Sequence, residues 1–318
     1  MTIGISHSSL HLNGRGEAER PLLLETKKCY DFDDSNFHIR KIAIRKTTHF
    51  GWTSEEMISE IDRIKPDVVY HIGSHTQESL IQILKHRKKT SGNYKVFAFS
   101  MRGPQQNISN IFNLQKNDKQ ILKKILRLFQ YLYEKKKVKT LNKYCDAIFC
   151  HYPDGRDAFI EEGYNGPIFM QTQVGVDTSI FYPDNEKRAS MRKKLGINDN
   201  TYVFASAVRF NPAKGVLQVL DSLPHEGDWV YLLMGSGLPE EEEAVRTKIK
   251  ERNLTDRVIL PGFIEWEEMP GYWNAADCAI HFTQSTPSWV ETFSLSLVQA
   301  MASGLPVIGS SSGSVPYQ

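Results

Sequence analysis

Arg209 and Lys214 share one short stretch, Arg209-Phe210-Asn211-Pro212-Ala213-Lys214-Gly215, between a strand-like run and a helical pattern. A forked guanidinium and a point-charge ammonium on a strand-to-helix loop suit a diphosphate. The same two residues could equally be solvated loop cations. Further along, Glu291 precedes an apolar run of helical spacing whose start falls near Phe293, Ser294 and Leu295. A carboxylate there can accept hydrogen bonds from sugar hydroxyls. Free N–H groups at the helix start would receive a phosphate or a hydroxyl. Gln299 stands about one turn beyond Leu295, among Leu297, Val298 and Met301. Turned inward, its amide needs a partner; turned outward, it is an ordinary surface glutamine.

Two glycine turns follow other strand-like runs. Gly235-Ser236-Gly237 lets a ligand approach the backbone, or simply makes a turn before the acidic start of a helix at 240–243. Gly262 and Phe263 could hold a flat ring or form a bare hydrophobic turn. In the first half, His71 and His75 follow the apolar run 68–70, and Arg102 follows 96–100. Each is a candidate contact to an acceptor molecule, and each could be an ordinary polar residue at a strand end.

The elements that must position these groups alternate. Strands are predicted at 3–6, 38–45, 68–72, 96–100 and 147–150. Helices are predicted at 21–29, 54–64, 78–86, 121–143 and 155–162. Ile121, Leu122, Ile125, Phe129 and Leu132 form the apolar stripe of the long helix. A polar stretch at 167–185 reads as a crossover. Strands are then predicted at 202–207, 229–234, 258–260, 278–282 and 306–308, with helical patterns between them. Strands separated by helices imply βαβ units. The reading is α/β, with two Rossmann-like parallel-sheet domains facing across a cleft, 1–168 and 169–318. Ligands in such sheets sit beyond the carboxyl ends of the strands.

Bulk properties narrow the choice. A chain of 318 residues exceeds one ordinary core. Its 39 basic and 37 acidic residues give a net charge of only +2, which does not suggest a nucleic-acid binder. Cys29, Cys145, Cys150 and Cys278 lack zinc-like or disulfide-like spacing, which fits a reducing, cytoplasmic setting. The N-terminal residues lack a secretory pattern, and no stretch has the length and apolarity of a membrane span. Between Lys116 and Lys143 there are ten basic and two acidic residues. That run is either a solvated face or a contact with an anionic membrane surface.

Taken in order, Arg209…Lys214-Gly215, Gly262-Phe263 and the stretch PSWVETFSLSLVQAMASGLPVI from Pro287 resemble the retaining nucleotide-sugar glycosyltransferases of the GT-B fold, glycosyltransferase group 1. Gly14-Arg15-Gly16-Glu17-Ala18-Glu19-Arg20 is similar to that family's first glycine loop. Gly175-Val176-Asp177 with Phe181-Tyr182-Pro183 is similar to its interdomain signature. The resemblance implies that Arg209 and Lys214 hold a donor diphosphate, with Gly16 near the phosphates. It implies that Glu291 contacts the donor sugar, helped by Thr292 and by the amides of Phe293, Ser294 and Leu295. Gln299 stands where the family has a second glutamate that grips the ribose. Glu17, Thr292 and Ser294 also depart from the family's glycine-rich pattern, which bears on donor preference.

What the resemblance implies is sugar transfer from a nucleoside diphosphate sugar to an acceptor hydroxyl, with retention, on a saccharide or lipid-linked acceptor. No metal or cofactor is expected, because protein cations would neutralise the leaving diphosphate. The sequence also stops short of the elements that usually follow in the family, so an incomplete second sheet is expected. Two other readings stay open. One is a nucleotide-sugar-binding protein or fragment without transfer activity. The other is a sugar-nucleotide epimerase, which needs an acid/base pair that is not apparent beside Glu291.

Overall fold

A computed structural model describes residues 2–6, 42–48, 51–91, 93–100, 121–172, 174–286 and 289–318. The expected helix over 21–29 and the first glycine loop, with Gly16, lie outside these residues, as does Arg102. The described chain falls into two compact units. One holds its residues up to Cys150 together with Phe159–Phe169; the other holds His151–Ala158 and Met170–Gln318.

The first unit is built on a five-stranded parallel sheet ordered β1-β4-β5-β6-β7. These strands are β1 (Thr2–Ser6), β4 (Val68–Ile72), β5 (Lys95–Phe99), β6 (Ala147–Cys150) and β7 (Ile168–Met170). β2 (Arg45–Thr48) and β3 (Gly51–Thr53) form a separate antiparallel hairpin, so the strand expected at 38–45 begins only at Arg45 among the described residues. Helices α1 (Glu55–Ile64), α2 (Glu78–Thr90) and α3 (Ile121–Tyr144) follow β3, β4 and β5. α4 (Pro153–Glu161) follows β6. Ser54 caps α1 by accepting from the Met57 N–H at 3.1 Å, and Met57 and Ile61 fill its inner face. β7 lies inside the stretch expected to be a bare crossover. Three apolar residues were too few to register as a strand, and the edge position asks for no more.

α3 reverses an expectation. Ile125, Leu128, Phe129 and Leu132 face solvent, with Phe129 at 65% exposure. The face turned inward is instead Val138 and Leu141, with Lys137 only 7% exposed. Lys137 Nζ lies 2.9 Å from Glu78 Oε1 and 3.0 Å from Glu134 Oε1, above the Tyr133 ring. Two carboxylates therefore draw a lysine inward where the hydropathy pattern favoured isoleucine and leucine. Lys135 also turns inward and donates to the Glu162 carbonyl at 2.7 Å.

The second unit carries a five-stranded parallel sheet ordered β10-β9-β8-β11-β12. The strands are β8 (Tyr202–Ala207), β9 (Trp229–Met234), β10 (Val258–Gly262), β11 (Cys278–His281) and β12 (Val307–Gly309). The helices are α5 (Asn185–Leu195), α6 (Val216–Ser222), α7 (Pro239–Glu251), α8 (Met269–Ala275) and α9 (Leu295–Ala302). Alternation along the strands assigns the two cores. Leu232 and Met234 join Val203, Ala205, Phe181 and Trp273 on one face. Tyr231 and Leu233 join Phe210, Val216, Leu220 and Val245 on the other. Both faces are covered, as a parallel sheet requires. Among the described residues no helix is long and apolar enough to cross a membrane.

Arg192, 1% exposed, ties α5 to this sheet. Its guanidinium donates to the carbonyls of Ala275, Asn198, Asp199 and Thr201 and to Asp277 Oδ2 at 2.7 Å. Asp277 Oδ2 also accepts from the Val203 N–H. Every donor nitrogen of a buried cation is thus engaged; truncation strands several carbonyls, while Asp277 keeps Arg188 and the Val203 N–H. Arg192→Met should cost about 1–3 kcal/mol for the buried acceptors left unmade, read as a loss of thermal and denaturant stability. A variant that melts with the wild type would show the network to be dispensable.

Candidate functional site

The loop after β8 turns tightly. Asn211 Oδ1 accepts from the Lys214 N–H at 3.2 Å, and Gly215 continues in the left-handed region at φ +64°. A Cβ on Gly215 would come within 2.2 Å of the Phe282 carbonyl oxygen. Glycine is therefore required for the β8 loop to lie against the end of β11. The Gln284 N–H donates to the Ala213 carbonyl at 2.8 Å and ties the two loops.

That contact brings together two groups the sequence separates widely. Lys214 Nζ reaches Glu291 Oε2 at 2.5 Å. Glu291 is 5% exposed. Lys214 also sits over the Trp289 ring, 4.9 Å from its centroid, an arrangement that favours a cation. His281 Nε2 lies 3.6 Å from the same Glu291 oxygen. Burial pushes the Glu291 carboxyl up, but His281 and Lys214 outweigh it and hold it below the usual carboxylate range. His281 and Trp289 were not singled out from the sequence. A histidine closing a strand and a tryptophan in a loop carry no periodic signal of their own.

The backbone beneath Glu291 is equally constrained. Its carbonyl accepts from the Ser314 N–H at 2.8 Å, and a Cβ on Gly313 would lie 2.2 Å from that oxygen. Ser294 caps α9, its hydroxyl accepting from the Leu297 N–H at 3.3 Å. The Ser294 N–H is already committed to Gln318 Oε1 at 3.0 Å, and Gln318 Nε2 donates back to the Ser294 carbonyl. The N–H groups of Leu295 and Ser296 have no partner among the described residues and form the open first turn of the helix. Thr292 and Phe293 are half-buried beside it.

Other expected residues fall at different places. Arg209 is exposed and forms no ion pair among the described residues. Gly262 ends β10 at φ +84°, accepts from the Gly235 N–H at 2.8 Å, and leaves Phe263 63% exposed. Gly235 and Gly262, with Phe210, Leu260, Glu242 and Arg246, line a shallow open hollow. The acidic run beyond Gly237 serves its own helix: Glu241 accepts from the Leu238 N–H at 2.8 Å. Gln299 is turned inward, 4% exposed, and its Oε1 accepts from the Trp273 indole at 3.4 Å.

His71 and His75 are core residues. His75 is fully buried, with Nε2 at 2.6 Å from Glu162 Oε2 and Nδ1 at 3.3 Å from Ser100 Oγ. Both ring nitrogens of His75 are thus spoken for inside the unit. His71 bonds Ser79, and burial lowers its pKa to about 4, so it is neutral. Among the described residues no group of three or more His, Cys, Asp or Glu side chains could hold a metal ion.

Residues 187–318 match the family model described as glycosyl transferases group 1. A curated relative from Corynebacterium glutamicum, a GDP-mannose-dependent monoacylated alpha-(1-6)-phosphatidylinositol monomannoside mannosyltransferase, is 30% identical over 157 residues, 47% of this chain and 40% of that protein. The mannosylfructose-phosphate synthase of Agrobacterium fabrum is 25% identical over 52% of this chain and 37% of its own length. The match to these relatives thus spans about two fifths of their length. Among solved structures, a glycosyltransferase from Rickettsia africae superposes with a TM-score of 0.63 at 16% identity, over 92% of this chain and 69% of that one. Anabaena HepE in complex with UDP superposes with a TM-score of 0.59 at 18% identity, over 81% and 64%. At these identities the likeness is one of fold, two parallel-sheet α/β units.

The pair at Glu291 predicts a pH effect. A carboxyl held below its unfolded value stabilises the fold above the carboxylate range, and that contribution is lost as pH falls through it. Lys214→Met removes the cation and should cost about 1–3 kcal/mol near neutrality. The deficit relative to wild type should shrink on acidification, as Glu291 takes up a proton. Thermal melts across that range check this; a deficit independent of pH would mean the pair contributes no charge stabilisation.

Proposed function

We propose, on the premise that this chain belongs through residues 187–318 to the group 1 glycosyl transferases, that it moves a sugar from a nucleoside diphosphate sugar to an acceptor hydroxyl with retained configuration. The observation that carries the reading is the contact of Lys214 with Glu291 where the loops after β8 and β11 meet. A cation able to meet a diphosphate thus lies beside a carboxylate able to read the attached sugar.

In this reading Arg209 and Lys214 neutralise the diphosphate, and the open N–H groups of Leu295 and Ser296 donate to one phosphate oxygen. As the glycosidic bond breaks, negative charge gathers on the leaving group, and these fixed donors stabilise it without reorganising. Glu291 orients the donor sugar through its hydroxyls. Gly235 and Gly262 give the nucleotide access to backbone groups, with Phe263 as a flat apolar contact. Gln299 meets the ribose through its amide. Protein cations replace a metal ion in this scheme. The first unit supplies the acceptor side, where Arg102 stays a candidate, while Gly16 stays a candidate neighbour of the phosphates. His75 would act there only by leaving its Glu162 pair.

A saccharide or lipid-linked acceptor fits the relatives' names, one of which is a phosphatidylinositol mannoside mannosyltransferase. An anionic membrane surface fits α3. Ile125, Leu128, Phe129 and Leu132 lie on one exposed face, which continues as the exposed Lys136, Lys139 and Lys143. Apolar side chains entering the headgroup boundary beside lysines is the chemistry of interfacial helices. Such contact would hold the chain at the cytoplasmic face of a membrane. A binding protein without transfer activity is the competing reading, and the commitment of Gln299 to Trp273 favours it.

Lys214→Ala and Glu291→Ala should each lower turnover by about 10²–10³-fold, with the product's anomeric configuration matching the donor's by NMR and the rate unchanged by chelator. Near-normal rates in both variants would remove the assignment. Binding of nucleoside diphosphates without product, over a broad acceptor panel, would select the competing reading. For the membrane contact, Phe129→Glu together with Lys136→Glu should abolish co-sedimentation with phosphatidylglycerol vesicles. Wild-type indifference to anionic lipid would sink the idea.

A further inference from the structure

His281 closes β11 with its ring buried to 3% exposure. Its Nε2 makes no hydrogen bond, yet lies 3.6 Å from Glu291 Oε2, the oxygen Lys214 already holds. The elements beside β11 add no further charge. β8, β12 and α9 contain no acidic or basic residue, so Lys214 and Glu291 are the charged groups facing the imidazole. The two partners differ in freedom. Lys214 is a flexible stem carrying a point charge, 20% exposed in its side chain. His281 is fixed by a strand, with its carbonyl accepting from the Ser310 N–H at 3.2 Å.

A phosphate group arriving at Lys214 competes with Glu291 for one ammonium. If the ammonium swings to the phosphate, a carboxylate 5% exposed is left without its cation, which is strongly disfavoured. The imidazole is the nearest group able to replace it, a few tenths of an ångström beyond hydrogen-bond reach.

We propose that His281 is a positioning residue that takes over the Glu291 carboxylate when an incoming nucleoside diphosphate draws Lys214 away. The inference rests on reading Lys214 as the diphosphate ligand. A small rotation of the Glu291 side chain closes the gap, and Nε2–H donates to Oε2. Nδ1 takes a proton from solvent when the imidazole assumes the positive charge. The handover keeps Glu291 ionised and aimed while Lys214 works on the phosphate. It also couples binding to the uptake of one proton.

The test is calorimetric binding of UDP, GDP and ADP to wild type, His281→Leu and His281→Gln, in buffers of differing ionisation enthalpy. His281→Leu should weaken binding about tenfold, the equivalent of one charge-assisted hydrogen bond. His281→Gln, a neutral donor, should recover most of the affinity. Proton uptake seen with wild type should be absent from both variants. Wild-type affinity and unchanged proton uptake in the variants would overturn the handover while leaving the proposed function standing. Failure of wild type to bind any of the three would instead sink the diphosphate site. A ligand-free arm then still judges His281: thermal melts of Lys214→Met, His281→Leu and the double variant. The double variant should lose more than the sum of the singles, because only it leaves Glu291 without a partner. Additive losses would overturn the proposal.

Discussion

A single carboxylate oxygen, Glu291 Oε2, is the point on which the second unit's loops converge. Lys214 and His281 both approach it, from the loop after β8 and from the end of β11. Burying an ion pair costs desolvation that its own attraction barely repays, so such a pair is weak evidence for stability. What it requires is geometry. The backbone meets that requirement with two glycines, Gly215 against the Phe282 carbonyl and Gly313 against the Glu291 carbonyl. Any larger residue at either position would push apart the loops that bring cation and carboxylate together.

The same loops leave other charges and dipoles deliberately unspent. Arg209 stays exposed without an ion pair among the described residues, and the first turn of α9 keeps the Leu295 and Ser296 N–H groups open. Meanwhile Ser294, whose amide is closest to Glu291 in sequence among that helix's capping groups, is already tied to Gln318. The division matters. The tied groups fix where Glu291 and the helix start sit, and the open ones are those the proposed reading assigns to the diphosphate. A site whose donors are held in place before a ligand binds pays little reorganisation when charge develops on it.

Much of this was readable from the chain. Near-continuous apolar runs placed β8 and β9 to the residue, because a parallel strand covered on both faces is apolar along most of its length. Arg209, Lys214 and Glu291 were legible as loop residues at strand ends. Their contact was not, since 77 residues separate Lys214 from Glu291 and only the β8–β11 pairing brings them together. His281 was hidden for a related reason: in sequence it is the last polar residue of a short strand. α3 shows the opposite failure. Its hydropathy gave a clear stripe, and the structure turns Ile125, Phe129 and Leu132 of that stripe outward, because Glu78 and Glu134 offer Lys137 a buried place that isoleucine would waste.

Gln299 shows how the ligand-free fold constrains residue choice at such a site. The position is 4% exposed, and the partner its side-chain carbonyl finds is one indole N–H, from Trp273. α9 carries no basic residue, and neither does α8, which contributes Trp273. A glutamate there would be a buried anion facing a single neutral donor, a state burial opposes. A glutamine satisfies Trp273 at no charge cost and keeps an amide N–H₂ to offer a ligand. On the proposed reading, a glutamine here favours a stable empty site over one that depends on its nucleotide for electrostatic completion.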